Sequence, residues 1–312
     1  MPAVPLHFWL WTAVGISLFG IIYWRIAQGQ LENARSRVMA DQRAMSVALG
    51  PKLFPFRDRV ESWAAELSGP WPGNFVAPDA ELERIRASGS VYLRARVASA
   101  RDAKGLRKAV QASLRDGFTS CLFVSRGSEP TAGAACRTIG DCKAGLLCNE
   151  WNVCAEPRQP YNLRLVYRTL RVLSSDWTDE VHLAPSELAL SAYQRDLDNV
   201  AKHDVPVTVD LLARSRYFTL VLDEDPAAGL PPEIPEANES PEERIQRSPH
   251  TARVGIWNLE TSQPILRIRA EAAGEFVMLG RRSVPDAENF AAQQRQVNSC
   301  ELALRVREAL AN

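Results

Sequence analysis

The chain has little lysine, no excess of either charge, and no two histidines close enough in sequence to form a catalytic or metal-binding motif. Of its 37 basic residues only Lys52, Lys104, Lys108, Lys143 and Lys202 are lysine. That arginine bias is typical of a GC-rich genome and points to a bacterial source. The 37 acidic residues cancel the 37 basic ones, so the net charge is zero. Neutralising a phosphate backbone takes a basic surplus, so nothing in the composition favours a nucleic-acid partner. His7, His182, His203 and His250 are isolated in sequence, and no H-E-x-x-H arrangement occurs. A G-x-S-x-G elbow, a Walker loop and a G-x-G-x-x-G fingerprint are also missing. No catalytic residue, cofactor or metal is therefore expected.

A length of 312 residues, 46% hydrophobic and 24% charged, suits one or two ordinary globular domains. Residues 6–24, LHFWLWTAVGISLFGIIYW, form the one long apolar run. It is about the ~20 residues a membrane helix needs, and aromatics stand at both ends. No basic segment precedes it and no A-x-A site follows, so it reads as an uncleaved single-pass anchor that makes the bilayer a partner. The five residues before it leave no room for a cytoplasmic output domain, so a sensor could signal only by dimerising. Orientation is in conflict. Arg25, Arg35, Arg37 and Arg43 follow the run and favour a cytoplasmic carboxyl side.

The cysteines favour the opposite side. Cys136, Cys142, Cys148 and Cys154 are spaced evenly in CRTIGDCKAGLLCNEWNVC. Structural zinc sites pair their ligands as C-x₂₋₄-C, and a redox site wants C-x-x-C; neither occurs. Few apolar residues lie between the cysteines, and small segments of that kind are held by cross-links. Four cysteines allow three pairings, and spacing does not choose among them. Cys121 and Cys300 either pair with each other or stay as buried thiols. The pattern of Cys136, Asp141-Cys142, Gly145 with Cys148, and Cys154 resembles four-cysteine cassettes of exported proteins, with openings like those of dickkopf and colipase modules. That resemblance covers about twenty residues. It implies an extracytoplasmic setting and nothing about activity.

The rest reads as α+β: a mixed or antiparallel sheet with helices and an inserted disulfide-rich loop. Leu31, Ala34, Val38, Met45 and Ala48 keep a 3-4 spacing that packs on the chain's own domain or makes a short coiled coil. Gly50-Pro51 should end that helix. Phe56, Val60, Trp63 and Leu67 line the next one. Residues 90–99 alternate, with Val91, Leu93, Ala95 and Val97 one way and Tyr92, Arg94 and Arg96 the other, as in a half-buried antiparallel strand. Residues 117–125 read as a second strand, 186–204 as a helix capped by Ser186, and 252–272 as a hairpin. A closing helix should turn Phe290, Val297, Leu302 and Val306 inward. The boundaries are a tail at 1–5, a membrane helix at 6–24, a helical stalk at 25–73 and a domain at 74–312. That domain carries the Cys-rich insertion 127–160 and a mobile acidic, proline-rich loop at 223–250.

An anchor, a stalk and a domain without a catalytic constellation read as a membrane-anchored extracytoplasmic binding or assembly subunit. It would sit in the inner membrane and meet a protein partner or a second copy of itself. The competing reading is an extracytoplasmic hydrolase using the carboxylates near Asp179 or Asp223.

Overall fold

β2 (Gly89–Arg96) is the strand on which the site below depends, and seven of its eight residues are buried. The computed structural model describes residues 6–113, 116–123, 134–137, 139–143, 146–148, 154–155, 161–225, 239–275 and 287–311. β2 runs parallel to β6 (Ser215–Asp223) on one side and to β5 (Tyr161–Asn162) on the other. β6 pairs antiparallel with β7 (His250–Asn258), β7 with β8 (Pro264–Ala272), and β8 with β1 (Phe75–Val76). The six-stranded order is β1-β8-β7-β6-β2-β5, so the chain is α+β with a mixed sheet.

The expectation of a half-buried antiparallel strand at 90–99 is thus corrected. Alternation misled because β2 is covered on both faces, and a parallel strand so covered hides even its polar residues. On one face α2 (Leu82–Ala87), α5 (Gly117–Leu122) and α11 (Ala287–Ala311) bring Ile85, Phe118 and Leu302 against Tyr92, Val254 and Ile268. On the other, Trp63 of α1 (Leu6–Ser68) stacks on Phe218 and Trp257, with centroids 5.9 and 5.3 Å apart. Residues 97–100 leave the strand as α3 (Val97–Ala100), followed by α4 (Ala103–Ala112). The strand expected at 117–125 is corrected over 117–122, which form the helix α5, and residues 124–125 lie outside the described residues. Asp116 caps it, its Oδ1 accepting from the Thr119 amide at 3.3 Å.

The hairpin is as the sequence predicts, with Val254 opposite Ile268 and Ile256 opposite Leu266. Asn258 Oδ1 accepts from the amides of Glu260 at 2.8 Å and Thr261 at 3.1 Å, which fixes the turn. β2 enters the sheet at Gly89, where an added Cβ would overlap the main-chain carbonyl of Arg214. Backbone cannot swing aside as a side chain can. Gly89→Ala is therefore expected to cost about 2 kcal/mol or more in urea unfolding, and a midpoint unchanged from wild type would refute it.

Among the described residues no helix is long and apolar enough to cross a membrane. The expected single transmembrane helix at 6–24 is thereby overturned, and the bilayer contact loses the element it rested on. Gly15, Ser17 and Gly20 dilute the apolar run, and α1 carries on past Arg25 without a break. Nor does Gly50-Pro51 end it. Proline inside a helix costs ~3 kcal/mol. Burial of Leu53, Phe56, Val60, Trp63 and Leu67 along the following turns offsets that cost.

Two compact units divide the chain, Met1–Lys52 with Leu170–Ala201, and Leu53–Thr169 with Lys202–Asn312. In the first, Trp177 of α7 (Ser175–His182) is fully buried and meets Tyr193 of α8 (Glu187–Asn199) edge-on at 5.7 Å. Gln42 donates to the Val172 carbonyl at 3.2 Å and Arg35 to that of Ala184 at 3.0 Å, so the Val38 stripe of α1 is held by the same chain. The second unit holds the sheet and the site. Its remaining helices include α6 (Arg164–Val172), whose first turns belong here, α9 (Val205–Arg214) and α10 (Pro241–Arg247). α10 lies inside the stretch 223–250 expected as a mobile loop. Its capping box has Ser240 Oγ accepting from the Glu243 amide at 3.2 Å, while Glu243 accepts from the Ser240 amide at 2.9 Å. Residues 226–238 lie outside the described residues. In α11 Leu302 and Val306 face inward as expected, but Phe290 is about half exposed.

Candidate functional site: an ion-paired cleft at the strand ends

The cysteines all pair. Cys136 joins Cys148 and Cys142 joins Cys154, with Cα atoms 5.8 and 5.4 Å apart. The two links cross in sequence. β3 (Leu147–Cys148) and β4 (Cys154–Ala155) run antiparallel with Cys148 opposite Cys154. Asp141 Oδ2 accepts from the Arg137 amide at 2.8 Å and folds the preceding turn back. The Sγ atoms of Cys136, Cys142 and Cys154 lie within 4.8 Å of one another. With every sulfur in a disulfide, none offers the thiolate a metal needs. Cys121 of α5 pairs with Cys300 of α11 across a sequence separation of 179, with Cα atoms 5.3 Å apart.

The carboxylates singled out in sequence fall in different units. Asp179 is exposed and Glu180 pairs with Arg171 at 3.0 Å, both in the first unit. Asp223 lies in the second, at the carboxyl end of β6, and its partners come from distant parts of the chain. Arg94, two residues before the end of β2, donates from Nε to Asp223 Oδ2 and from Nη2 to Oδ1, each at 2.8 Å. Its Nη1 donates to Asp116 Oδ2 at 2.7 Å and to Ser299 Oγ at 3.0 Å. His250, the first residue of β7, donates from Nδ1 to the Ser248 carbonyl at 2.8 Å, which turns Nε2 to Asp223 Oδ1 at 3.0 Å. Tyr92 Oη donates to Asp116 Oδ2 at 3.0 Å. Arg94, Asp223 and His250 are each at most 5% exposed.

The electrostatics follow from that burial. Desolvation opposes the charge on Asp223, but Arg94 and then the bond with His250 outweigh it. The carboxyl is held well below the usual carboxylate range. Arg94 loses hydration too, yet Asp223 and Asp116 raise its pKa above the ordinary value. The Tyr92 phenol is pushed up, first by burial and then by Asp116. Arg94 and Asp223 therefore face each other as a charged pair at neutral pH.

Arg94, Asp116, Asp223 and Ser299 form the floor of a cleft of about 820 Å³. One wall is α4 with the start of α5; the other is α10 with α11. The cleft opens at the carboxyl ends of the parallel strands β2 and β6, the edge where α/β sheets commonly place ligands. Its volume falls within the ~300–1,000 Å³ of small-molecule sites. Compared with protein families, curated proteins and solved structures, the chain matches none of them. Its chemistry has to be read from its own residues.

Small side chains line much of the cleft, among them Ala95, Ala109, Ala112 and Ala292. Arg295 is engaged, reaching Glu239 at 3.3 Å and Glu243 at 4.0 Å. Lys108 on α4 and Glu242 on α10 border the same space, and neither has an ion-pair or hydrogen-bond partner among the described residues. Arg94 and His250 escaped the sequence reading because alternation assigned Arg94 to solvent and His250 has no neighbour in sequence to mark it. A lone arginine in the apolar setting of VYLRA was the available signal: an arginine inside a buried strand must carry its counter-ions with it.

Proposed function

We propose that the chain is an extracytoplasmic, non-enzymatic binding subunit whose recognition site is the cleft at the ends of β2 and β6. The observation that carries this is a floor whose charges already satisfy one another. Asp223 takes donors from Arg94 and His250 and stays ionised, so it is poorly suited to give or take a proton. A hydrolase built on that carboxylate therefore loses its acid–base group, while a rigid, pre-formed cleft is what small-ligand binding needs.

The setting rests on sulfur. Three disulfides join all six cysteines, and such bonds persist in oxidising compartments and are rare in the cytosol. The crossed cassette, taken as a small module of the dickkopf or colipase kind, would give a second, protein-facing contact surface.

The test is a thermal-shift screen of the oxidised full chain against amino acids, short peptides, sugars, dicarboxylates, polyamines and nucleotides. Binding to the folded state raises the midpoint by mass action. At least one class is expected to raise it in a saturable way, with Gly117→Gln, which narrows the cleft, abolishing the shift. If no class raised the midpoint, the reading would fall.

A further inference from the structure

We infer that the cleft takes a short peptide with free termini, its ammonium facing Glu242 and its carboxylate facing Lys108. The inference rests on the binding reading above and assigns the ligand class. The other charges of the cleft are already engaged: Arg94 with Asp223 and Asp116, and Arg295 with Glu239 and Glu243. What remains is one cation and one anion. Lys108 comes from the α4 wall and Glu242 from the α10 wall, and each is without a partner among the described residues. The two border the same cleft from different helices, so this unpaired pair of opposite sign selects a ligand with the complementary pair.

Two further features narrow the class. The carboxamide oxygens of Gln246 and Gln296 border the cleft and accept no hydrogen bond among the described residues, so they are open to peptide N–H groups. The space of about 820 Å³ exceeds what one amino acid fills, and alanine and glycine on its walls leave room for side chains. A di- or tripeptide meets all three conditions. A sugar lacks the charges, and a dicarboxylate or polyamine carries only one sign.

The experiment uses the oxidised full chain with trialanine, N-acetyl-trialanine and trialanine amide, measured by calorimetry. Trialanine is expected to bind. Blocking either terminus should weaken it about tenfold or more, the cost of losing one charge-assisted bond. Lys108→Met and Glu242→Gln should each weaken trialanine to the same extent without lowering the melting midpoint, since neither residue has a structural partner. Glu242→Gln should also bring free and acetylated trialanine close to equal affinity, and Lys108→Met should do so for free and amidated. Equal binding of free and blocked peptides, or full affinity in both variants, would overturn the assignment. If a sugar, a dicarboxylate or phosphoethanolamine bound at the cleft and trialanine did not, the peptide class would fall and the binding reading would stand. If nothing bound, both would fall.

Discussion

Arg94→Met is expected to cost about 3–5 kcal/mol of stability at neutral pH, the usual loss when one partner of a buried ion pair is removed. The guanidinium serves two acids at once, Asp223 through two bonds and Asp116 through one. Methionine keeps much of the volume but leaves both carboxylates facing a low-dielectric interior. His250 remains beside Asp223, so the loss should fall on Asp116 as well, with the cap of α5.

The pH dependence gives a second reading of the same variant. In the wild type the pKa of Asp223 is depressed in the folded state. Its contribution is therefore fully present above the unfolded value of about 3.9 and is lost as pH falls through the folded value. In the variant the main depressing cation is gone, and Asp223 takes up a proton more readily. The gap between wild type and variant should accordingly narrow as pH drops from 7 towards ~3, and Asp223→Asn added to Arg94→Met should recover part of the loss at pH 7. Urea unfolding across that range measures both. A deficit below about 1 kcal/mol at pH 7, or one that widens in acid, would show that the pair does not hold the strand ends together.

The second large effect belongs to the bond between α5 and α11. Replacing Cys121 and Cys300 together by serine is expected to lower the unfolding free energy by about 2–5 kcal/mol. A sequence separation of 179 puts the bond near the top of the chain-entropy range, where the ceiling is ~5 kcal/mol. The double variant avoids leaving one thiol to find a wrong partner. Each helix also supplies a wall of the cleft, Gly117 from α5 and Gln296 from α11, so ligand affinity should drop alongside stability. Guanidinium unfolding reports the first effect, and non-reducing peptide mapping confirms that only this link is lost. A denaturation midpoint equal to that of wild type would exclude the bond as a brace.

The sequence carried single elements better than it carried the site. The hairpin, the Ser186 cap and the inward face of Phe56, Val60, Trp63 and Leu67 were legible because each is a local pattern whose period matches its burial. Strand β2 was legible as a strand but not in its environment, since period-two alternation assumes one wet face and β2 has none. The 117–125 stretch was misread because its β-prone residues outweighed a capping Asp116. The apolar run at 6–24 was read by length and composition, and α1 carries that run onward into charged turns. The cleft was illegible for a simpler reason: Arg94, Asp116, Asp223, His250 and Ser299 are joined only by the fold. The crossed pairing of the cassette was likewise beyond reach, as spacing alone leaves three connectivities equal.

The central strand also shapes how the protein is made. β2 has both of its neighbours, β5 and β6, downstream of it in the chain, and β6 lies far downstream. During synthesis Val91, Tyr92, Leu93 and Arg94 emerge long before any partner can hydrogen-bond to them or neutralise the guanidinium. Until Asp223 arrives, the nascent chain carries a sticky, unpaired ribbon, which is the stage at which a holdase chaperone would matter most.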